Sequence, residues 1–394
     1  MTLALVMSGG GARAAYQVGV LRAIATLLPE PTVNPFPIIC GTSAGAINAA
    51  SLASNIDRFD RAVSRLARTW GNLHVDQVFR ADLPSTVRTV SRCLAALLMG
   101  RLHRVGPFSL LESAPLAALL ARMIDFSRIR HTIAAGHLNA LCVTASSYST
   151  GDSVSFFQAS EDIDPWRRAR RVGRRTRIGL EHVLASCALP YAFPTVRING
   201  EHFGDGSMQQ LAPISSALHL GARRVLVIGV GSPARERGDA DTSAWPSLAQ
   251  IAGHLLDAIF VDTLDMDLER LHRVNHTLAA IPAEIQPRQT PLHEVETLVI
   301  RPHEPLDGIV EAHAGELPRA LRFMLRRFGV LEPNGARVLS YLLFERGYCR
   351  HLMHMGFADA VAKRAELMTL LQHEPGARRG RARRHHPDLL ASEW

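Results

Sequence analysis

The sequence predicts an α/β fold, a three-layer sandwich with a largely parallel central sheet followed by a C-terminal helical extension. Three observations carry that expectation. Short apolar runs end in small-residue turns at 9–11 and 41–45, stretches with helical periodicity follow both turns, and strand-like runs keep recurring further on. Strands that alternate with helices pair in parallel and need cover on both faces.

The first element is the apolar run 3–7, which ends at Ser8-Gly9-Gly10-Gly11. Ala15, Val18, Leu21, Ile24 and Leu28 then recur at helical spacing, so the segment reads strand, tight loop, helix. Residues 36–40 repeat the pattern, because a run bounded by prolines enters Gly41-Thr42-Ser43-Ala44-Gly45 and continues into small helix-compatible residues. Further strands are expected at 140–145, 154–158, 196–198, 224–229 and 297–300, with helices at 214–220 and 248–273. From Leu317 to near Gln372 only helices are read. The tail from Pro375 carries clustered arginines and reads as disordered.

Composition bounds the class. With 47% apolar and 20% charged residues over 394 positions, the chain is able to bury a core. The formal charge is +8, and Lys363 is the only lysine among 44 basic residues. A coding bias toward arginine accounts for most of them, so only clusters carry functional weight. Five cysteines in odd number and without a C-x-x-C pair argue against a disulfide framework or structural zinc and suggest a reducing compartment. No cofactor or metal is expected. The N-terminus shows no signal peptide pattern, and apolar stretches fall short of the roughly 18 residues a membrane span needs. The expected location is cytoplasmic, with peripheral contact to a membrane at most.

Gly41-Thr42-Ser43-Ala44-Gly45 fits a G-x-S-x-G elbow, in which flanking glycines permit a sharp strand-to-helix turn that lifts the serine hydroxyl out of the sheet. The following helix aims N–H groups and partial positive charge at the reacting centre. Small residues at a βα turn also occur for packing alone. Gly9, Gly10 and Gly11 provide a loop without Cβ atoms, able to turn N–H groups toward an oxyanion near Ser43. Arg13 suits either an anionic head group or a structural salt bridge. Gly9-x-Gly11-x-x-Ala14 also satisfies a dinucleotide fingerprint, but the next strand ends at Cys40 with no acid placed for a ribose.

Together with the block Ala185-Ser186-Cys187-Ala188-Leu189-Pro190-Tyr191-Ala192-Phe193-Pro194 and the pair Asp205-Gly206, these motifs stand in the order and spacing of the patatin-like phospholipases, which the chain resembles from Leu3 to about Val230. The resemblance implies Ser43 as nucleophile, Asp205 as base and Gly9 to Gly11 as oxyanion hole, with Arg13, Gly41, Gly45 and Gly206 as supporting motif positions. It implies a lipid acyl hydrolase domain over 1–315 with insertions near 75–130 and 160–178, a helical region over 316–374 and a basic tail over 375–394. Ala14 stands where the family usually has glycine, and Ser207 where a small apolar residue or glycine is commoner.

The chemistry constrains the dyad independently of the family. An aspartate with an ordinary pKa of about 4 is a poor base toward a hydroxyl, so Asp205 needs a desolvated place next to Ser43. Residues 196–198 and 201–203 form an expected hairpin around Asn199-Gly200 that delivers Asp205 to a turn; a plain turn or N-cap aspartate is the alternative there. A Ser-His-Asp triad is the rival, with His182 and His202 the nearest in sequence among 18 histidines, both more ordinary as packed or surface residues. Cys40 and Cys187 read as small buried hydrophobes.

For lipid contact, seven arginines between Arg167 and Arg177 suit an anionic head-group surface, or else form a solvated charged loop. Val87, Val90, Leu94, Leu97 and Leu98, flanked by Arg88, Arg92 and Arg101, form an interfacial helix or lid, or a plain core helix. A reading from another class is an inert α/β module that holds polyanions or anionic membranes through its arginine clusters. Arginines without interleaved aromatics give salt-sensitive attachment, so specific nucleic acid binding is not expected. The oligomeric state and the acyl ester cleaved are not legible.

Overall fold

A computed structural model describes residues 2–79, 111–160, 163–210, 212–231, 245–281, 292–332 and 335–371. Its centre is a ten-stranded sheet in the order β10-β9-β1-β2-β3-β4-β6-β5. The strands are β1 Leu3–Met7, β2 Ile38–Thr42, β3 Ala140–Ser147, β4 Ser153–Ala159, β5 Trp166–Arg168, β6 Arg171–Arg175, β7 Val196–Ile198, β8 Glu201–Asp205, β9 Arg224–Ile228 and β10 Glu296–Ile300. From β10 to β3 every pairing is parallel. β4 returns antiparallel to β3, and the hairpins β5–β6 and β7–β8 complete the sheet.

The three layers follow from strand alternation, since successive side chains leave a strand on opposite faces. Leu5, Met7, Ile39, Leu141, Leu226 and Ile228 join one core cluster with the helices α1 (Ala15–Leu27), α2 (Ala44–Ala53) and α3 (Phe59–Trp70). Ala4, Val6, Ile38, Cys40, Val225 and Val227 pack on the opposite face against Ile214, Leu264 and Leu268. Because both faces are covered, the central strands are continuous apolar runs.

The C-terminal extension consists of helices Arg319–Arg327, Ala336–Leu342, Arg346–Ala362 and Arg364–Leu371. They pack into the same core as α1. The crossing of α1 with Arg346–Ala362 is close: a Cβ on Gly19 would strike the Met353 carbonyl, and one on Gly356 the Tyr16 carbonyl.

Three details differ from the sequence reading. β2 starts two residues later than the run 36–40, because Pro37 cannot donate to a central ladder. The span 248–273 divides into Leu248–Asp257, a π-helical turn Ala258–Asp262 and Thr263–Ala279. The arginine-rich segment 167–177 is not a solvated loop over most of its length but the edge hairpin β5–β6. Its apolar seed is Trp166, stacked on Phe157 at 4.9 Å, with Val172 buried beneath the arginines. The stripe from Val87 to Leu98 and the tail from Pro375 lie outside the described residues. Among the described residues no helix is long and apolar enough to cross a membrane.

Candidate active site

At the end of β2 the chain enters α2 within one residue. Ser43 takes φ 53° and ψ −127°, a conformation that typically costs a side-chain-bearing residue about 1–3 kcal/mol. Neighbouring groups hold it there. The Ser43 amide donates to Ser186 Oγ at 2.8 Å, and the Ser186 hydroxyl donates to the Thr144 carbonyl at 2.6 Å. Both flanking glycines are needed for space, since a Cβ on Gly41 would run into the Gly45 carbonyl and one on Gly45 into the carbonyls of Met7 and Ser8.

Sheet register delivers Asp205 to this turn. β2 pairs with β3 as far as Thr42 opposite Thr144, then leaves the sheet at Ser43. β4 occupies the other edge of β3, so the edge that β2 vacates is free. β8 takes it antiparallel, placing Asp205 opposite Ala145, one position further on. The hairpin that brings β8 there turns on Asn199 and Gly200, both at positive φ, as the Asn-Gly pair predicts. Ser43 Oγ consequently donates to Asp205 Oδ2 at 2.6 Å.

Asp205 is 1% exposed, its amide donates to the Ala188 carbonyl at 2.8 Å, and its Oδ1 accepts the Ser207 amide at 2.9 Å. Burial raises its pKa to about 6, against the hydrogen bonds from Ser43 and Ser207, which lower it. Desolvation outweighs those bonds, so the carboxylate holds a proton more readily than an ordinary aspartate. Gly206 lies so close to the Thr144 carbonyl that a Cβ there would collide with it.

The glycine loop sits between these elements and the C-terminal extension. Gly9 faces the Ser207 hydroxyl and the Phe260 ring, the latter set by the π-helical turn. Gly11, at φ 54°, faces the Tyr341 carbonyl and lines the same cavity as Ser43 and Asp205. Gln17 Nε2 fixes the loop from α1 by donating to the Ser8 carbonyl at 2.8 Å. Gly10 packs against Val230.

Arg13 points away from the cavity chemistry. Its Nε donates to Ser340 Oγ at 2.8 Å, its guanidinium lies 3.9 Å over the Tyr341 ring, and it pairs with Asp257 at 3.3 Å. Buried in this way it ties the glycine loop to helices Leu248–Asp257 and Ala336–Leu342, so of the two expected roles it occupies the structural one.

A cavity of about 430 Å³ opens beside the dyad. Its walls are apolar: Ile47, Trp70 and Leu73 from the α2–α3 side, Leu189 and Phe193 from the Ala185 block, and Leu321, Met324, Leu325, Val338 and Phe344 from the C-terminal extension. Among the described residues that line it, Asp205 is the one carboxyl group and no histidine is present. His182 packs edge-on against Phe156 at 4.8 Å, and His202 contacts Thr195. Cys187 borders the cavity with its thiol pKa pushed up by burial, and Cys40 is buried on the far face of the sheet. Among the described residues no group of three or more His, Cys, Asp or Glu is placed to hold a metal ion.

Of the arginines at 167–177, Arg174 pairs with Glu201 at 3.0 Å, Arg171 donates to Ser215 Oγ at 2.9 Å, and Arg175 donates to the Ala159 and Ser160 carbonyls at 3.2 and 2.7 Å. Arg167, Arg170 and Arg177 are exposed. Sequence reasoning missed the role of Ser186, which it met only as part of a motif, and missed the whole C-terminal wall of the cavity.

The family model described as patatin-like phospholipase matches residues 5–218. A "cGAMP-activated phospholipase" of Pseudomonas aeruginosa is 28% identical over 215 residues, covering 55% of this chain and 55% of the relative, so the chain matches about half the length of that protein. Human GIVD cytosolic phospholipase A2, solved with methyl gamma-linolenyl fluorophosphonate, aligns over 94% of this chain and 59% of its own at TM-score 0.45 and 14% identity. VipD from Legionella pneumophila aligns over 93% and 67% at TM-score 0.35 and 12% identity.

Proposed function

The chain belongs to the patatin-like phospholipase family, and on that premise we propose that it is a lipid acyl hydrolase working through Ser43 and Asp205. The observation that carries the reading is the 2.6 Å bond from Ser43 Oγ to a carboxylate with raised proton affinity, beside a cavity walled by aliphatic and aromatic side chains. An acyl chain fills such a cavity, because each buried methylene contributes about 0.8 kcal/mol.

In this mechanism the ester carbonyl carbon lies over Ser43. As Oγ attacks, its proton passes to Asp205 and the carbonyl oxygen becomes an oxyanion. Backbone N–H groups of Gly9 to Gly11 and the N-terminal end of α2 receive that charge. Collapse breaks the ester bond and Asp205 returns the proton to the departing alcohol, leaving an acyl-Ser43 ester. Water, deprotonated by Asp205, attacks this ester in turn, and the fatty acid leaves with Ser43 reprotonated. Placing the base within 2.6 Å in a dry site substitutes for the imidazole of other serine hydrolases.

Residues 1–315 form the hydrolase domain in this reading, and the segments 321–330 and 338–344 of the C-terminal region supply the outer wall of the acyl cavity. Access to a bilayer falls to an apolar face beside that wall rather than to the arginines at 167–177, four of which are held in local contacts. Trp245 is 95% exposed, and Leu248, Ile251 and Leu255 stand exposed along one face of a helix whose Ala252 and Leu256 line the cavity. Phe323 and Phe328 are exposed next to the basic positions Arg319, Arg326 and Arg327. An apolar surface with basic flanks suits an anionic interface.

The test is turnover of short and long acyl esters by the wild type, Ser43→Ala and Asp205→Asn. Loss of at least about a thousandfold in kcat/KM is expected for both variants. Full activity in Ser43→Ala sinks the proposal.

A further inference from the structure

On the other side of the Trp70–Leu73 segment lies a second cavity of about 450 Å³ whose chemistry is the opposite of the first. It is bounded by α1, α3 and the helix Arg346–Ala362, and three guanidinium groups meet there: Arg22, Arg68 and Arg350. His354, Ser64 and Asn72 add polar groups to the lining, and no carboxylate is among the described residues that form it.

The convergence follows from helix geometry. Ser64 and Arg68 stand four positions apart on α3, and Arg350 and His354 four apart on the facing helix, so each pair shares one side. Arg350 is set in place, with Nε donating to the Gly71 carbonyl at 2.8 Å and a terminal nitrogen donating to Asn72 Oδ1 at 3.4 Å. Elsewhere in the fold arginines find acids: Arg13, Arg58, Arg128, Arg174 and Arg301 all pair with one. Arg22 and Arg68 are exposed and have no ion pair among the described residues. Like charges brought together without a counterion repel, and an anion seated between them relieves that repulsion while matching the guanidinium forks.

The platform is rigid, because α1 and the C-terminal helix touch backbone to backbone at Gly19 and Gly356 and cannot drift apart without losing that contact. Among the described residues the lining is dominated by guanidinium groups and holds no Phe, Tyr or Trp, so charge rather than ring stacking is what it offers a ligand. We infer that this cleft binds a phosphate-bearing ligand, held by Arg22, Arg68 and Arg350. The site stands apart from the acyl cavity yet borders it: Gly71 and Asn72 line the cleft while their neighbours Trp70 and Leu73 line the cavity.

Calorimetric titration of the full chain with pyrophosphate, and sedimentation with phosphatidic acid vesicles, tests the assignment and separates a free ligand from a lipid head group. The variant R22Q/R68Q removes two exposed, unpaired side chains, and R61Q/R197Q removes the same charge from exposed positions outside the cleft. Saturable pyrophosphate binding, weakened at least tenfold in R22Q/R68Q and retained in R61Q/R197Q, supports a site for a free diphosphate. Vesicle binding with that same variant pattern, in the absence of pyrophosphate binding, supports a head-group site. Binding of both probes that is absent, or equal in all three proteins, overturns the inference. Retained turnover of a soluble ester by R22Q/R68Q confirms that the variant is folded.

Discussion

The hydroxyl of Ser186 accepts the amide of Ser43 at 2.8 Å and in turn donates to the Thr144 carbonyl at 2.6 Å, so a side chain remote in sequence anchors the backbone of the strained elbow. Ser186→Ala leaves a buried amide and a buried carbonyl without that partner, at a cost of about 1–3 kcal/mol. Steady-state kinetics should show kcat reduced about tenfold with KM for a short ester unchanged, since the damage falls on nucleophile geometry rather than on substrate contacts. An equal rise in KM would point instead to a general loosening of the cavity.

Asp205 weakens the fold in order to serve the site. Below a pH of about 4 both folded and unfolded chains hold its proton. As pH rises from there to about 6 only the folded chain still holds it, so stability falls across that window and stays lower above it. The difference is on the order of 3 kcal/mol. Asp205→Asn still accepts the Ser207 amide and carries no charge. Its melting temperature is expected to exceed that of the wild type at pH 8 and to converge with it near pH 4. A lower value at pH 8 contradicts this account.

In the proposed mechanism the same ionisation sets the activity profile. Because the base must be unprotonated, kcat/KM for a soluble ester rises with pH up to about 6 and levels off above it. A rising limb near pH 4 in initial-rate measurements would mean that the carboxylate is better solvated than its burial indicates.

In the proposed mechanism, chain-length preference falls to the C-terminal wall of the cavity. Met324 is half-buried and borders the cavity, so Met324→Trp fills part of the space an acyl chain occupies. Turnover of long-chain esters is expected to fall at least tenfold while that of short-chain esters is kept. Parallel loss for both would place the acyl chain elsewhere.

Docking is separable from chemistry. Leu248 and Leu255 are exposed and do not line the cavity. Leu248→Asp with Leu255→Asp should reduce hydrolysis of anionic vesicles at least tenfold and leave a soluble ester unaffected. Unchanged vesicle hydrolysis rules out this face as the point of contact.

How much of this was legible in the sequence depended on whether local pattern carried the information. β1 and β2 were readable because central parallel strands are apolar without interruption, and the Asn199-Gly200 turn because positive φ at two successive positions selects those residues. The proximity of Ser43 and Asp205 was readable only through motif order. Its physical cause, β8 continuing along the edge of β3 that β2 leaves, is a fact of register that no local pattern encodes. β6 was hidden because one face of an edge strand is free to carry arginines, leaving Val172 as the main apolar signal. The apolar spacing of 319–327 announced a helix, but helices that pack on a core and helices that enclose a ligand share that spacing.

The backbone contact between α1 and the helix Arg346–Ala362 joins positions more than 300 residues apart along the chain. A ribosome that has already delivered the serine, the aspartate and the ten described strands still holds a protein in which α1 has one flank bare and the cavity lacks its outer wall. Contacts of such long range form late and slowly. During biosynthesis the cavity beside Ser43 and Asp205 is therefore closed late, after the segments that carry those two residues have been made.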